Sequence, residues 1–120
     1  MDNPIFINLS NHPSKRWSKK QRKAAEQYGK IVDIPFPNVP ATATEEEIRL
    51  LCESTVQRVL EYQPSAVMCQ GEFTLAFHLI NRLLDEKIIV VAACSERKVK
   101  ETGNKKESYF LFSKFRRFDK

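Results

Sequence analysis

The chain has 120 residues, a formal net charge of +5, 42% hydrophobic and 29% charged residues, and 3 glycines and 6 prolines. This excludes a multidomain assembly, a collagen-like or low-complexity chain and an intrinsically disordered one, and it predicts a single domain over residues 1–120. The positive balance favours an anionic partner without saying anything about the fold.

Met1-Asp2-Asn3-Pro4 carries no basic stretch and no long apolar run follows it, so a signal peptide is not expected. No apolar segment approaches the ~20 residues of a membrane span. Cys52, Cys69 and Cys94 are odd in number and lack C-x-x-C spacing, which fits reduced thiols in the cytoplasm. No Cys/His/Asp cluster has metal-ligand spacing, and no metal or cofactor is expected.

In chain order, Ile5–Leu9 is the first strand, broken by Asn11-His12-Pro13-Ser14. Ser18 with Gln21 forms a capping box opening a helix that Gly29 stops. Ile31–Ile34 is the second strand. Pro35, Pro37 and Pro40 then impose a stiff extended loop, each fixing φ and lacking an N–H. Thr44 with Glu47 forms a second capping box. The helix after it carries Ile48, Leu51, Cys52, Thr55, Val56, Val59 and Leu60 at i, i+3, i+4 spacing.

Ala66–Cys69 has no polar alternation and reads as a strand buried on both faces. Phe73–Leu84 is the third helix, with Phe73, Ala76, Phe77, Ile80, Leu83 and Leu84 as its main apolar face. Leu75 and Leu79 lie off that face, which predicts burial on two sides and a homodimer with this helix near the two-fold axis. Ile88–Ala93 is the most apolar strand. Ser95–Lys106 is polar, with a turn at Thr102-Gly103-Asn104, and Ser108–Phe112 is the last strand. With no helix between the last two strands, their pairing is antiparallel.

The order β-α-β-α-β-α-β-β predicts a Rossmann-like, mostly parallel five-stranded sheet with helices on both faces and the last strand antiparallel. A flavodoxin-type order sets strand one beside strand three. Ligands of such sheets bind beyond the carboxyl ends of the strands. This strand order is expected to bring together there Ser10-Asn11-His12-Pro13, Gln70-Gly71-Glu72-Phe73 and Ser95-Glu96-Arg97.

Each loop also has a structural explanation. Ser10 or Asn11 closes a turn, Gly71 supplies a positive φ, Glu72 caps a helix and Arg97 is a surface charge. No G-x-G-x-x-G and no Walker motif is present, which disfavours a dinucleotide or a Walker-type nucleotide. Free amides at the start of the third helix suit a phosphate. His12 is the one histidine in a candidate loop, whereas His78 shares a polar, solvent-facing helix side with Thr74, Asn81, Arg82 and Asp85.

Of the basic residues, Lys19–Lys23 read as a solvated helix face. Phe115-Arg116-Arg117-Phe118 has the residue types that meet nucleobases and phosphates. An antiparallel last strand carries that tail to the sheet edge opposite the three loops, where it serves strand pairing or a subunit contact.

Gln70-Gly71-Glu72-Phe73, Ser95-Glu96-Arg97 and the closing Phe112-Ser113-Lys114-Phe115-Arg116-Arg117-Phe118 together resemble a family of small type III CRISPR-associated accessory proteins with a CARF-like fold. Asn8-Leu9-Ser10-Asn11-His12 is similar to that family's first strand and its end. The proline-rich Phe36–Pro40 departs from the pattern.

The resemblance implies binding of cyclic oligoadenylate, most often cyclic tetra-adenylate, and its cleavage by a metal-independent ring nuclease. The alternatives are a sponge that sequesters the ring uncut, or a small RNA-binding protein. In the cleavage reading Arg97 and the amides of the third helix stabilise phosphate charge. Ser10, Asn11 and Gln70 orient ribose and phosphate, His12 moves a proton, and Glu72 meets a ribose hydroxyl or an adenine amino group. Gly71, Phe73 and Ser95 complete the ligand-binding set. Neither a membrane nor a long nucleic acid is an expected partner.

Overall fold

The structure is a computed structural model that describes residues 3–120; Met1 and Asp2, part of the N-terminal stretch considered above, lie outside the described residues. Its elements are β1 (Ile5–Ser10), a 3-10 turn (Ser14–Arg16), α1 (Lys19–Glu26), β2 (Lys30–Pro35), α2 (Glu45–Leu60), β3 (Ala66–Cys69), α3 (Phe73–Asp85), β4 (Ile89–Thr102) and β5 (Lys105–Arg117). The sheet order is β2-β1-β3-β4-β5. The first four strands run parallel and β5 pairs antiparallel to β4. This is the expected Rossmann-like arrangement, with β1 beside β3.

Two apolar layers cover the sheet. Ile7, Leu9, Val67, Cys69 and Val90 pack against Ile48, Cys52, Val56 and Val59 of α2 and against Leu75, Leu79 and Leu83 of α3. On the other face Phe6, Ala66, Met68 and Val91 meet Ala25 of α1, with Trp17, Tyr28 and Phe115 around them. Alternation along β1 and β3 distributes their side chains between the layers, so all four residues of β3 are buried.

The Thr44–Glu47 box forms as expected: Thr44 Oγ1 accepts from Glu47 N–H at 3.1 Å, and the Glu47 carboxylate accepts from Thr44 N–H at 3.0 Å. The box at Ser18 is only half made. Ser18 Oγ accepts from Gln21 N–H, but the Gln21 amide turns to Met68 instead of reaching back.

Two expectations are corrected. Leu75 and Leu79 are fully buried, whereas Phe73 and Phe77 are 90% and 65% exposed. At 100° per residue the apolar positions of α3 form two adjoining stripes. Packing against β3 and β4 selects the stripe centred on Leu75, Leu79 and Leu83. His78 is half-buried rather than open to solvent, and it lines a groove with Ile48 and Arg49.

The segment after Ala93 is not a loop. β4 runs on to Thr102, turns at Gly103 (φ 63°) and Asn104, and returns as β5. Gly103 supplies the left-handed conformation that a two-residue hairpin demands. β3 pairs with β4 only over Ile89–Val91, so Ser95–Thr102 and Lys105–Phe112 project as a two-stranded ribbon roughly 24 Å long. The radius of gyration, 15.9 Å, exceeds the ~13.6 Å expected of a compact chain this long. Beyond Phe112 nothing buries one face of the ribbon, so Ser95–Lys106 shows no apolar alternation and reads as polar, while only Ser108–Phe112 of the return strand is legible.

Candidate ligand cleft

The carboxyl ends of β1, β3 and β4 open into a cleft of about 830 Å³ on the α1 side of the sheet. Its floor begins with the turn after β1. Ser10 Oγ donates to Asn8 Oδ1 (2.6 Å) and accepts from His12 N–H (3.1 Å). Asn8 Nδ2 donates to the His12 carbonyl (2.9 Å) and to Asp33 Oδ1 on β2 (3.1 Å). Asp33 Oδ2 accepts from Ser14 N–H (3.0 Å), and Trp17 Nε1–H donates to the His12 carbonyl (3.2 Å). The turn is thereby tied to β1, β2 and the entry to α1, and His12 is held at the cleft's mouth with its side chain exposed.

From β3, Gln70 extends the floor. Its N–H donates to the Leu9 carbonyl, and its Oε1 accepts from Ala93 N–H at 3.4 Å. Gln70 therefore bridges the ends of β1 and β4. The β4–β5 register shifts between Cys94 and Ser95, an irregularity of the kind that re-aims side chains next to binding sites. Ser95 and its partner Phe112 both line the cleft, with Phe110 beyond them. The opposite wall comes from Arg16, Trp17, Ser18, Lys20 and Gln21. The lining holds two permanent cations and no carboxylate, a balance that attracts anions.

Of the residues expected at the site, Asn11, His12, Gln70 and Ser95 meet in this cleft. Ser10 lies beneath it, 5% exposed, its hydroxyl proton committed to Asn8. That makes it a support for the turn rather than a group facing a ligand. Arg97 is in a strand, not a loop. It pairs with Phe110, two residues beyond the Ser95–Phe112 pair, and so projects from the same ribbon face further out.

Gly71, Glu72 and Phe73 do not reach the cleft. Gly71 does not adopt positive φ; a Cβ there would overlap the Phe36 ring. Glu72 caps α3, accepting from Leu75 N–H (2.8 Å) and the Thr74 hydroxyl (2.6 Å), and these bonds hold its carboxyl below the usual carboxylate range. A carboxylate at this helix start, with the Leu75 amide already taken, removes the phosphate site expected there. Phe73 lines a separate groove of about 380 Å³ between α2 and α3.

Sequence reasoning missed Arg16, Trp17, Lys20, Gln21 and the Phe110–Phe112 stretch. Lys20 was read as part of a solvated face, and the available signal for Arg16 and Lys20 was proximity: they follow the β1 turn within ten residues. Phe115 of the closing segment packs among Phe6, Trp17 and Phe112. Arg116 and Arg117 pair with Ala92 and Val91, so the tail serves strand pairing as expected, but it starts at the cleft end of β4, where Phe115 pairs with Ala93, rather than at the opposite sheet edge.

A family model matches residues 4–116, the uncharacterized protein MJ1673 family. The chain belongs to that family. The matched span takes in every residue lining the cleft of this MJ1673-family member. No curated protein and no solved structure matches the chain. No helix among the described residues is long and apolar enough to cross a membrane, and no group of three or more His, Cys, Asp or Glu among them is placed to hold a metal ion.

Proposed function

We propose that this protein binds cyclic oligoadenylate, with cyclic tetra-adenylate the first choice, in type III CRISPR antiviral signalling in the cytoplasm, and opens the ring as a metal-independent nuclease. The observation that carries the reading is the carboxylate-free cleft that combines His12, Asn11, Gln70 and Ser95 with Arg16 and Lys20. The sequence resemblance supplies the ligand class; the cleft's polarity and charge support it.

In the proposed reaction a ribose 2′-OH attacks the adjacent phosphorus. A P–O2′ bond forms, the P–O5′ bond breaks, and a 2′,3′-cyclic phosphate and a 5′-OH remain. His12 moves the proton. Asn11, Gln70 and Ser95 orient ribose and phosphate in line, while Arg16, Lys20 and Arg97 offset the charge that builds on the phosphate oxygens. A homodimer belongs to the reading, now supported by the exposed Phe73 and Phe77 of α3 rather than by Leu75 and Leu79. Incubation with cyclic tetra-adenylate in EDTA tests the activity: linear product is expected, and an intact ring after prolonged incubation at stoichiometric protein removes the nuclease.

One observation favours the second reading, a sponge that holds the ring uncut. Among the described residues no side chain hydrogen-bonds the His12 imidazole, and the one buried hydroxyl nearby, that of Ser10, donates to Asn8. A native-gel shift with full recovery of uncut ring decides for it.

A further inference from the structure

We infer that the projecting ribbon is part of the binding site, with Phe110 as a stacking platform for a nucleobase and Arg97, directly across from it, as a phosphate contact. This rests on the proposed oligoadenylate reading and adds to it the residues that recognise the bases. Phe110 is 71% exposed yet lines the cleft. Its neighbour along the face, Phe112, is buried and meets Phe115 at 4.9 Å between centroids, so Phe112 belongs to the core and Phe110 does not.

The pairing Arg97↔Phe110, outside Ser95↔Phe112, sets a guanidinium and an aromatic ring side by side on the cleft face. Opposite them stand Arg16 and Lys20. An aromatic face flanked by cations is the arrangement that holds a base by stacking and its phosphate by charge. Core packing gives no reason for a large exposed aromatic here, and an isolated two-stranded ribbon gains little from it.

The test is an affinity series with two probes, cyclic tetra-adenylate and linear tetra-adenylate. Phe110→Ala is expected to weaken binding about tenfold or more, and Phe110→Leu by nearly as much, because Leu keeps apolar area but offers no ring face. Phe110→Tyr restores binding to within about twofold of wild type. Tyr109 lies on the other ribbon face, paired with Lys98, and Tyr109→Ala leaves affinity unchanged.

Unchanged affinity in Phe110→Ala overturns the inference. So does an equal loss in Tyr109→Ala, which would report ribbon folding, or full binding by Phe110→Leu. Wild-type binding of the linear probe alone, lost in Phe110→Ala, keeps the platform and removes the cyclic ligand. Binding of neither probe overturns both.

Discussion

The Phe36 ring occupies the space where any side chain at residue 71 would project. Phe36 follows β2 in the proline-rich segment and is 5% exposed, and Gly71 joins β3 to α3. Two connections distant in sequence thus close over the same core. Gly71→Ala is expected to lower unfolding stability by about 1–3 kcal/mol in a denaturant titration, since overpacking forces the ring off its rotamer. In a Phe36→Ala background the added cost disappears, a non-additivity that identifies the contact. An unchanged midpoint for Gly71→Ala alone excludes it.

Glu72 caps α3 and lies outside the cleft. Its capping bonds depress the carboxyl below its ordinary value. The stabilisation is therefore fully present above that ordinary value and lost as pH falls through the depressed one. Glu72→Ala is expected to lower Tm at neutral pH and to lose the difference from wild type at strongly acidic pH, while affinity for cyclic tetra-adenylate stays within about twofold. A large affinity loss with unchanged Tm returns Glu72 to the ligand.

Asp33 positions the His12 turn from the neighbouring strand by accepting from Asn8 and from Ser14 N–H. Asp33→Ala is expected to cost about 1 kcal/mol of stability and to speed amide hydrogen exchange at His12 and Ser14 well beyond that at Leu75. Uniform acceleration across the chain indicates a global effect and argues against a local clamp.

The three cysteines differ in reach. Cys52 and Cys69 are buried, and Cys94 is half-buried on β4. Burial, with a smaller contribution from Cys52, pushes the Cys69 thiol up to about 12. In the native protein at pH 8 a thiol reagent is expected to label Cys94 alone, with all three labelled in denaturant. Because the folded state holds the Cys69 proton more tightly than the unfolded chain does, its contribution is intact below about pH 8.5 and lost as pH rises toward 12. Rapid native labelling of Cys69 contradicts this packing.

The sheet was legible in the sequence because its signals are local. Apolar runs at Ile5–Leu9, Ala66–Cys69 and Ile88–Ala93, helix periodicity in α2, and the capping pair Thr44–Glu47 each report one element. Right-handed crossovers then limit the strand order. The antiparallel return strand was legible at Ser108–Phe112, but the extension of β4 through Ser95–Thr102 was not, because a strand that projects from the core carries no buried face to impose alternation. The α3 stripe was misassigned because two apolar stripes adjoin and only packing chooses between them.

At the site, Asn11, His12, Gln70 and Ser95 were readable from the rule that ligands meet strand ends. Gly71 and Glu72 share that address but serve Phe36 and the α3 cap. Lys20 was missed because a basic helix face is usually solvated, and only the fold turns it, together with Arg16 of the preceding 3-10 turn, toward the strand ends.

In the proposed function the cleft holding His12 opens a cyclic oligoadenylate. The deciding measurement is the product of cyclic tetra-adenylate incubated in EDTA with wild type and with His12→Ala, each also measured for binding. Wild type is expected to give linear product ending in a 2′,3′-cyclic phosphate. His12→Ala is expected to cleave about 100-fold more slowly or worse, with ring affinity within about threefold. Equal cleavage by both proteins, or no binding of the ring by wild type, contradicts the proposed function.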